Sequence, residues 1–281
     1  MDSFTRDGLR FDVRDHRPAA PDGADPGAPV AVLLHGFPQD ASAFDAVVPL
    51  LTAAGVRVIV PDQRGYSPGA RPPGRRPYAV PELVADVVAL LDAAGTSRAH
   101  VAGHDWGGVV AWALAARQPD RVASLTALST PHPAAMAAAA RRGHQLLRSA
   151  YVAAFQVPGV PERVLLAHGG RRLRRALTRS GLGDAAADRY VARMSEPGAL
   201  RAALAWYRAL PVPGGGTTGR VRVPTTHVVG RHDPFFSPRS VAGTPAHVDG
   251  SFTQVVLDEG HWLPERRPRD VAAAVLGHLR V

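Results

Sequence analysis

Apolar positions along this chain follow two periods that alternate with each other. Residues 9–17 and the run Pro29-Val30-Ala31-Val32-Leu33-Leu34-His35-Gly36 read as strands separated by a Pro/Gly/Asp-rich turn at 18–29, and the second is a continuous apolar run of the kind expected when both faces of a strand are covered. A helix is expected over 42–54, a strand over 57–62, and then a loop rich in Gly, Pro and Arg. The stretch 81–94 places Leu83, Val84, Val87, Val88 and Leu91 at helical spacing. A strand from 98 turns sharply into a helix reaching 118, and another strand covers 121–128. Strand signals then vanish from about 133 to 216, where alanine-rich helical pieces are broken at 157–162, 181–184 and 196–198. They resume at 223–230 and 252–260, and a last helix is expected over 268–279.

Strands alternating with helices call for a parallel sheet joined by right-handed crossovers. The fold class expected is therefore α/β, a mostly parallel central sheet flanked by helices, with one helical insertion. The simplest division is a core at 1–132, a helical cap at 133–217 and the remainder of the core at 218–281.

Composition narrows the class. A hydrophobic share of 46% with a mean hydropathy of -0.07 fits a soluble globular protein. Cysteine is absent, which excludes disulfides, thiolate metal ligands and cysteine nucleophiles together. All 33 basic residues are arginine, a bias that points to genome composition, so the net charge of +9 says little about partners. The densest basic run, 171–179, spreads Arg171, Arg172, Arg174, Arg175 and Arg179 around a helix without interleaved aromatics, and reads as a solvated face rather than a nucleic-acid site. The N-terminus is polar and no apolar run reaches the ~18–20 residues that cross a bilayer. A cytoplasmic location with no membrane or nucleic-acid partner is expected, and oligomeric state is not legible.

The chemistry centres on Gly103-His104-Asp105-Trp106-Gly107-Gly108, between the strand from 98 and the helix after it. Asp105 there could be a solvated loop residue, a helix N-cap or a nucleophile. Gly-x-nucleophile-x-Gly at a strand-to-helix turn is the nucleophile elbow, whose small residues tolerate a strained turn that lifts the central side chain out of the sheet. The elbow requires an acid and then a histidine at the ends of later strands. Asp233 follows the strand ending at Gly230, and His261 follows the next strand; the segment after Leu128, Ser129-Thr130-Pro131-His132-Pro133, has no carboxylate to compete. Upstream, the amide of Phe37 in His35-Gly36-Phe37-Pro38 is placed to act with that of Trp106 on a developing anion.

These four motifs, His35-Gly36-Phe37-Pro38, the elbow, Asp233-Pro234 and Gly260-His261-Trp262, together with residues 62–69, resemble the α/β-hydrolase epoxide hydrolases. The resemblance spans the core and implies a cofactor-independent enzyme acting on a small-molecule epoxide with water. Asp105 is then the nucleophile, His261 the base oriented by Asp233, and Phe37 and Trp106 the oxyanion donors. The segments 151–162 and 205–210 resemble those that carry the family's two cap tyrosines, which implies that Tyr151 and Tyr207 bind substrate and protonate the opened ring, with Tyr190 as a substitute. His35, His104 and His232 are expected to be structural neighbours, Trp112 and Trp262 packing residues, and Tyr66 and Tyr78 to have no chemical role. Haloalkane dehalogenases share the Asp nucleophile, but the position that often holds a halide-binding asparagine is Phe37, and the chain has no asparagine; Trp206 keeps that alternative open. Fluoroacetate dehalogenases use arginines where this chain has Trp106 and Val109. A binding protein without turnover is the third alternative, with the intact acid, base and nucleophile set against it.

Overall fold

A computed structural model describes residues 1–18, 27–141, 145, 148, 150–212 and 218–279. Most of the expected turn at 18–29 and the expected distal boundary of the insertion at 217 lie outside them. Eight strands form one sheet: β1 (Ser3–Arg6), β2 (Leu9–His16), β3 (Val30–Leu34), β4 (Arg57–Pro61), β5 (Ala99–His104), β6 (Val122–Leu128), β7 (Thr225–Gly230) and β8 (Phe252–Leu257), in the order β1-β2-β4-β3-β5-β6-β7-β8. β2 is antiparallel to both β1 and β4, and from β4 to β8 every pairing is parallel. The α/β class and its mostly parallel sheet are as the alternation of periods implied.

Burial explains the sequence pattern strand by strand. Every residue of β7 and four of the five in β3 are buried, because helices cover both faces. Helix α1 (Val48–Thr52), α2 (Val80–Ala93) and α3 (Trp106–Arg117) supply part of that cover. The single helix expected over 42–54 is instead a 3-10 turn at Ala41–Phe44 followed by α1. Pro49 decides this: inside a continuous helix its ring would meet the carbonyl four residues back, whereas in the first turn of α1 its missing N–H costs nothing. The strand β1, absent from the sequence reading, joins β2 through Asp7-Gly8, both at positive φ of 51° and 75°. That geometry is the two-residue hairpin turn that Asp-Gly favours.

Between β6 and β7 lie α4 (Pro133–Ala140), α5 (Ala150–Phe155), α6 (Val160–Arg179), α7 (Asp184–Met194) and α8 (Ala199–Arg208), and Val221 makes an isolated parallel bridge to Val248 before β7 begins. α6 is two rods. Ala167 is extended and His168, Gly169 and Gly170 are all left-handed, so the helical ladder stops and restarts at Arg171. In the second rod Leu173 and Leu177 face inward while Arg171, Arg172, Arg175 and Arg179 are exposed and Arg174 pairs with Asp184 and Asp188 at 2.8 and 2.5 Å. After β7 come α9 (Pro238–Gly243), α10 (Leu263–Arg266) and α11 (Pro268–Leu276). No helix among the described residues is long and apolar enough to cross a membrane.

Specific polar links seat the helical segment on the sheet. Arg193 of α7 reaches Asp62 at 2.8 Å, Arg71 reaches Glu196 at 2.8 Å, and the Trp206 indole of α8 donates to the Arg64 carbonyl at 2.8 Å. Arg64 is itself anchored by a forked pair to Asp86 at 2.7 and 2.6 Å, with side chains 4% and 8% exposed, and Arg6 adds a third bond to Asp86 at 2.9 Å. Removing one partner of such a buried pair leaves the other charge without compensation. Asp86→Ala should therefore lower unfolding free energy by about 3–5 kcal/mol, read from urea denaturation midpoints. A loss within that of an exposed pair would show that Arg64 does not depend on it.

Candidate active site

Parallel pairing brings the carboxyl ends of β3, β5, β7 and β8 to one edge, with Leu34 opposite Gly103 and Gly230 opposite Leu257. The chain leaves β3 toward β4 on one side and returns to β5 on the other, so a crevice opens between β3 and β5, where α/β sheets bind ligands. Phe37 follows β3, Asp105 follows β5, Asp233 follows β7 and His261 follows β8. Four segments distant in sequence thus converge through strand order alone.

Asp105 sits at φ 52°, ψ -119°, a conformation costing a non-glycine residue of order 1–3 kcal/mol. The turn is so tight that a Cβ on Gly107 would collide with the carbonyl of Leu34, and one on Gly36 would strike the Asp105 side chain. Although Asp105 precedes α3, its carboxylate makes no capping bond to that helix. It is turned away instead: the Phe37 amide donates to Oδ1 at 2.9 Å, while the Trp106 amide lies close enough to favour the charged form. Burial pushes the Asp105 carboxyl up from its ordinary range, with His261 and the two amides opposing the shift.

The His261 Nδ1 lies 2.7 Å from Asp233 Oδ2, and its Nε2 lies 3.7 Å from Asp105 Oδ2. Asp233 is held by the amides of Phe235 and Phe236, which donate to Oδ1 at 2.7 and 3.3 Å. Burial opposes charge on the imidazole, yet Asp233, then Asp105 and Glu265, carry its pKa above the ordinary 6.5. The Nδ1 contact leaves Nε2 facing the nucleophile, as a base must.

Asp105, Tyr151, Tyr207, Phe37 and His261 line one cavity of about 460 Å³, whose remaining wall is largely apolar: Phe155, Leu165, Leu173, Leu177, Phe235 and Trp262. Tyr151 and Tyr207 pack edge to face at 6.0 Å, and Trp106 packs on Tyr207 at 5.1 Å. Burial raises the pKa of both phenols and the Asp105 charge adds to the rise, so both remain protonated donors at neutral pH.

The other sequence candidates separate clearly. Tyr190 is not in the cavity; its hydroxyl donates to Glu265 Oε1 at 2.8 Å, which removes it as a substitute acid. His35 and His104 are fully buried in polar contacts, and His232 is a surface residue paired with Asp258 at 2.8 Å. Trp112 donates to the Thr130 carbonyl at 3.0 Å, while Trp262 both donates to Ser180 at 3.0 Å and lines the cavity. Tyr66 is buried and Tyr78 donates to Pro72 at 2.9 Å. Trp206 spends its indole N–H on Arg64 and does not line the cavity. Sequence reasoning missed four residues that hold the site. Thr130 donates to the Asp105 carbonyl at 2.8 Å and Ser129 to the His261 carbonyl at 2.7 Å. Gln39 accepts from the Gly36 amide at 2.8 Å and donates to Glu265 at 2.7 Å. Gln39 and Glu265 flank the two strongest motifs at offsets of three and four residues from Gly36 and His261, which was the only signal available.

Residues 29–268 match the model of the alpha/beta hydrolase fold. The chain is 35% identical over 261 residues to AB hydrolase superfamily protein YfhM of Bacillus subtilis, covering 90% of each chain. It is 33% identical to epoxide hydrolase A of Mycobacterium tuberculosis over a 302-residue alignment covering 92% of each. Among solved structures, that of epoxide hydrolase A from Mycobacterium thermoresistibile superimposes with a TM-score of 0.81 at 28% identity, over 99% of this chain and 97% of that one. Fold, strand-end geometry and relatives agree, and the chain belongs to the α/β-hydrolase fold family, in the company of proteins named epoxide hydrolases.

Proposed function

We propose that this protein is an epoxide hydrolase that opens a small-molecule epoxide to a vicinal diol through a covalent ester on Asp105, with residues 133–217 acting as a helical cap over the site. The observation that carries the proposal is the meeting, in one apolar cavity, of a carboxylate held by the Phe37 amide with the phenols of Tyr151 and Tyr207 and an acid-backed imidazole. Oδ1 is taken by the Phe37 amide, which leaves Oδ2 to attack an epoxide carbon. As the new C–O bond forms and the ring C–O bond breaks, the departing alkoxide receives a proton from Tyr151 or Tyr207. The carboxylate is the right nucleophile for this substrate: its ester can be hydrolysed at the carbonyl, whereas serine would yield an ether that water does not cleave.

In the second step His261 Nε2 removes a proton from water, which adds to the ester carbonyl carbon of Asp105. The tetrahedral oxyanion rests on the Phe37 and Trp106 amides. Its collapse breaks the bond between the acyl carbon and the substrate oxygen; the new carboxyl group gives its proton to the diol oxygen, the imidazolium returns its proton to the phenolate left by ring opening, and the carboxylate is restored with one oxygen from water. At 3.7 Å the gap between Nε2 and Oδ2 is longer than a hydrogen bond, which leaves the attacking oxygen unengaged by the base. No step calls for a cofactor. A haloalkane dehalogenase reading is weakened by the engaged indole of Trp206 and by Phe37 at the second halide position. Pure binding leaves the backed imidazole without a purpose.

Asp105→Asn should abolish turnover, while His261→Gln should still form the ester and accumulate it. Intact-mass measurement after mixing with an active epoxide should then show protein plus the mass of that epoxide; absence of an adduct with every epoxide the wild type turns over would refute the two-step route.

Tyr151→Phe and Tyr207→Phe should each slow ester formation by roughly 10–100-fold, and the double variant by roughly 10²–10⁴-fold, the usual scale of general acid catalysis. Single-turnover rates equal to wild type would remove the phenols from the chemistry.

Ester hydrolysis needs neutral His261, so its rate should fall as pH drops through the raised pKa of that group. Esterification also cancels the Asp105 charge, one cause of the rise, so the midpoint for ester decay should lie below that of His261 in the free enzyme. Rapid-quench decay of the ester across pH, set against the imidazole titration of the free protein, measures both; coincident midpoints would contradict the coupling.

A further inference from the structure

Behind the site, beyond Asp105 and Asp233, lies a third carboxyl group, which the proposed steps do not use. Glu265 sits on α10, four residues after His261. Its Oε1 accepts from two directions: the Tyr190 hydroxyl of α7 at 2.8 Å, and the Gln39 side chain at 2.7 Å. Its Oε2 is buried without a partner among the described residues. Gln39 passes the connection onward, because its Oε1 accepts from the Gly36 amide at 2.8 Å and lies 2.8 Å from His104 Nδ1. His104 Nε2 in turn lies 2.9 Å from the His261 carbonyl. A polar chain therefore runs from the helical segment, through Glu265 and Gln39, to the Gly36 amide beside Phe37, with neutral His104, which donates from one ring nitrogen only, between Gln39 and the His261 carbonyl.

We infer that Glu265 is a positioning residue for the water-activating step: its carboxylate, shared between Tyr190 of the cap and Gln39, fixes the Gly36–Phe37 turn and ties the seating of the cap to the setting of the base. Burial does the most to lift the Glu265 carboxyl to about 7, against the donated bonds of Gln39 and Tyr190 and the attraction of His261. A carboxyl poised there changes charge in the range where the imidazole works, and a half-satisfied buried group of this kind is costly unless it has a task. The groups facing His261 are Asp105, Asp233, His104 and Glu265; on the far side of Glu265, Tyr190 is flanked by Arg189, whose guanidinium lies 5.2 Å from the Tyr190 ring, and by Asp40. Asp105 and Asp233 hold the imidazolium whatever Glu265 does, so the carboxyl modulates the base rather than creating it.

The linkage gives a sign. Ionised Glu265 raises the pKa of His261. Tyr190 stabilises the ionised form by donating to it, so a cap that loses this bond leaves the carboxyl neutral over a wider pH range and the imidazole less basic. Two groups that titrate together give macroscopic steps that belong to the pair, and the wild-type His261 titration should be broadened accordingly.

The test is an NMR titration of histidine ring protons in the full-length protein, with the His261 signal identified by its loss in His261→Gln. Glu265→Gln keeps the shape and both acceptor contacts at the carbonyl oxygen while deleting the charge. It should lower the His261 midpoint by about 0.5–1 unit and leave a single transition. Tyr190→Phe should move the midpoint in the same direction by less, and should add nothing on the Glu265→Gln background. An unchanged midpoint in Glu265→Gln, or full additivity of the two changes, would overturn the inference. A Glu265→Gln protein that is merely less stable, with its midpoint in place, counts against it in the same way. The consequence for turnover rests on the epoxide-opening proposal, but the titration needs no substrate, so failure of either reading is seen separately.

Discussion

The structure depends on one close approach: the elbow at Asp105 against the loop that follows β3. A non-glycine residue is forced into positive φ, and the surroundings tolerate it only because the neighbouring glycines let backbone pass within contact distance of backbone. The same compression brings the Phe37 amide to the carboxylate. Strain at the turn and preorganisation of the nucleophile are one arrangement seen from two sides. The Phe37 amide that holds the carboxylate is also placed to receive the oxyanion, so little has to move between the two proposed steps.

Around that centre the fold keeps its charges in pairs that tie elements together. Asp86 binds Arg64 and Arg6; Asp62 binds Arg193 while accepting from the Ala41 amide at 2.8 Å. The excess of arginine, uninformative as a total, becomes specific at Arg71 and Arg193, whose guanidinium groups each reach a carboxylate and a carbonyl at once. The Arg193–Asp62 and Arg71–Glu196 pairs cross between the helical segment and the loop after β4, so the roof of the cavity is fastened to the same sheet edge that carries the chemistry.

Much of this was legible in the sequence, and the failures have physical causes. A continuous apolar run marked β3 because both faces are buried, and the glycines around Asp105 marked the elbow because no larger residue fits. β1 was overlooked although Asp7-Gly8 is a strong hairpin signal, since a four-residue edge strand carries too short an alternation to stand out. The break in α6 was missed although Gly169-Gly170 is a turn signal, because the helical pattern resumes directly after it and nothing local says that three successive residues will turn left-handed. Gln39 and Glu265 were missed for a different reason. Each is an ordinary polar residue beside a motif, and only tertiary burial makes the pair a relay.

The broken helix has a consequence for how this cavity can change. Leu165 comes from the first rod of α6, and Leu173 and Leu177 from the second, with the left-handed link between them. In an unbroken helix a substitution that tilts one turn drags the next with it. Here the joint uncouples the two, so the chamber's ceiling consists of separate panels, and its length at one end can be recut by selection while the fit around the other end is preserved.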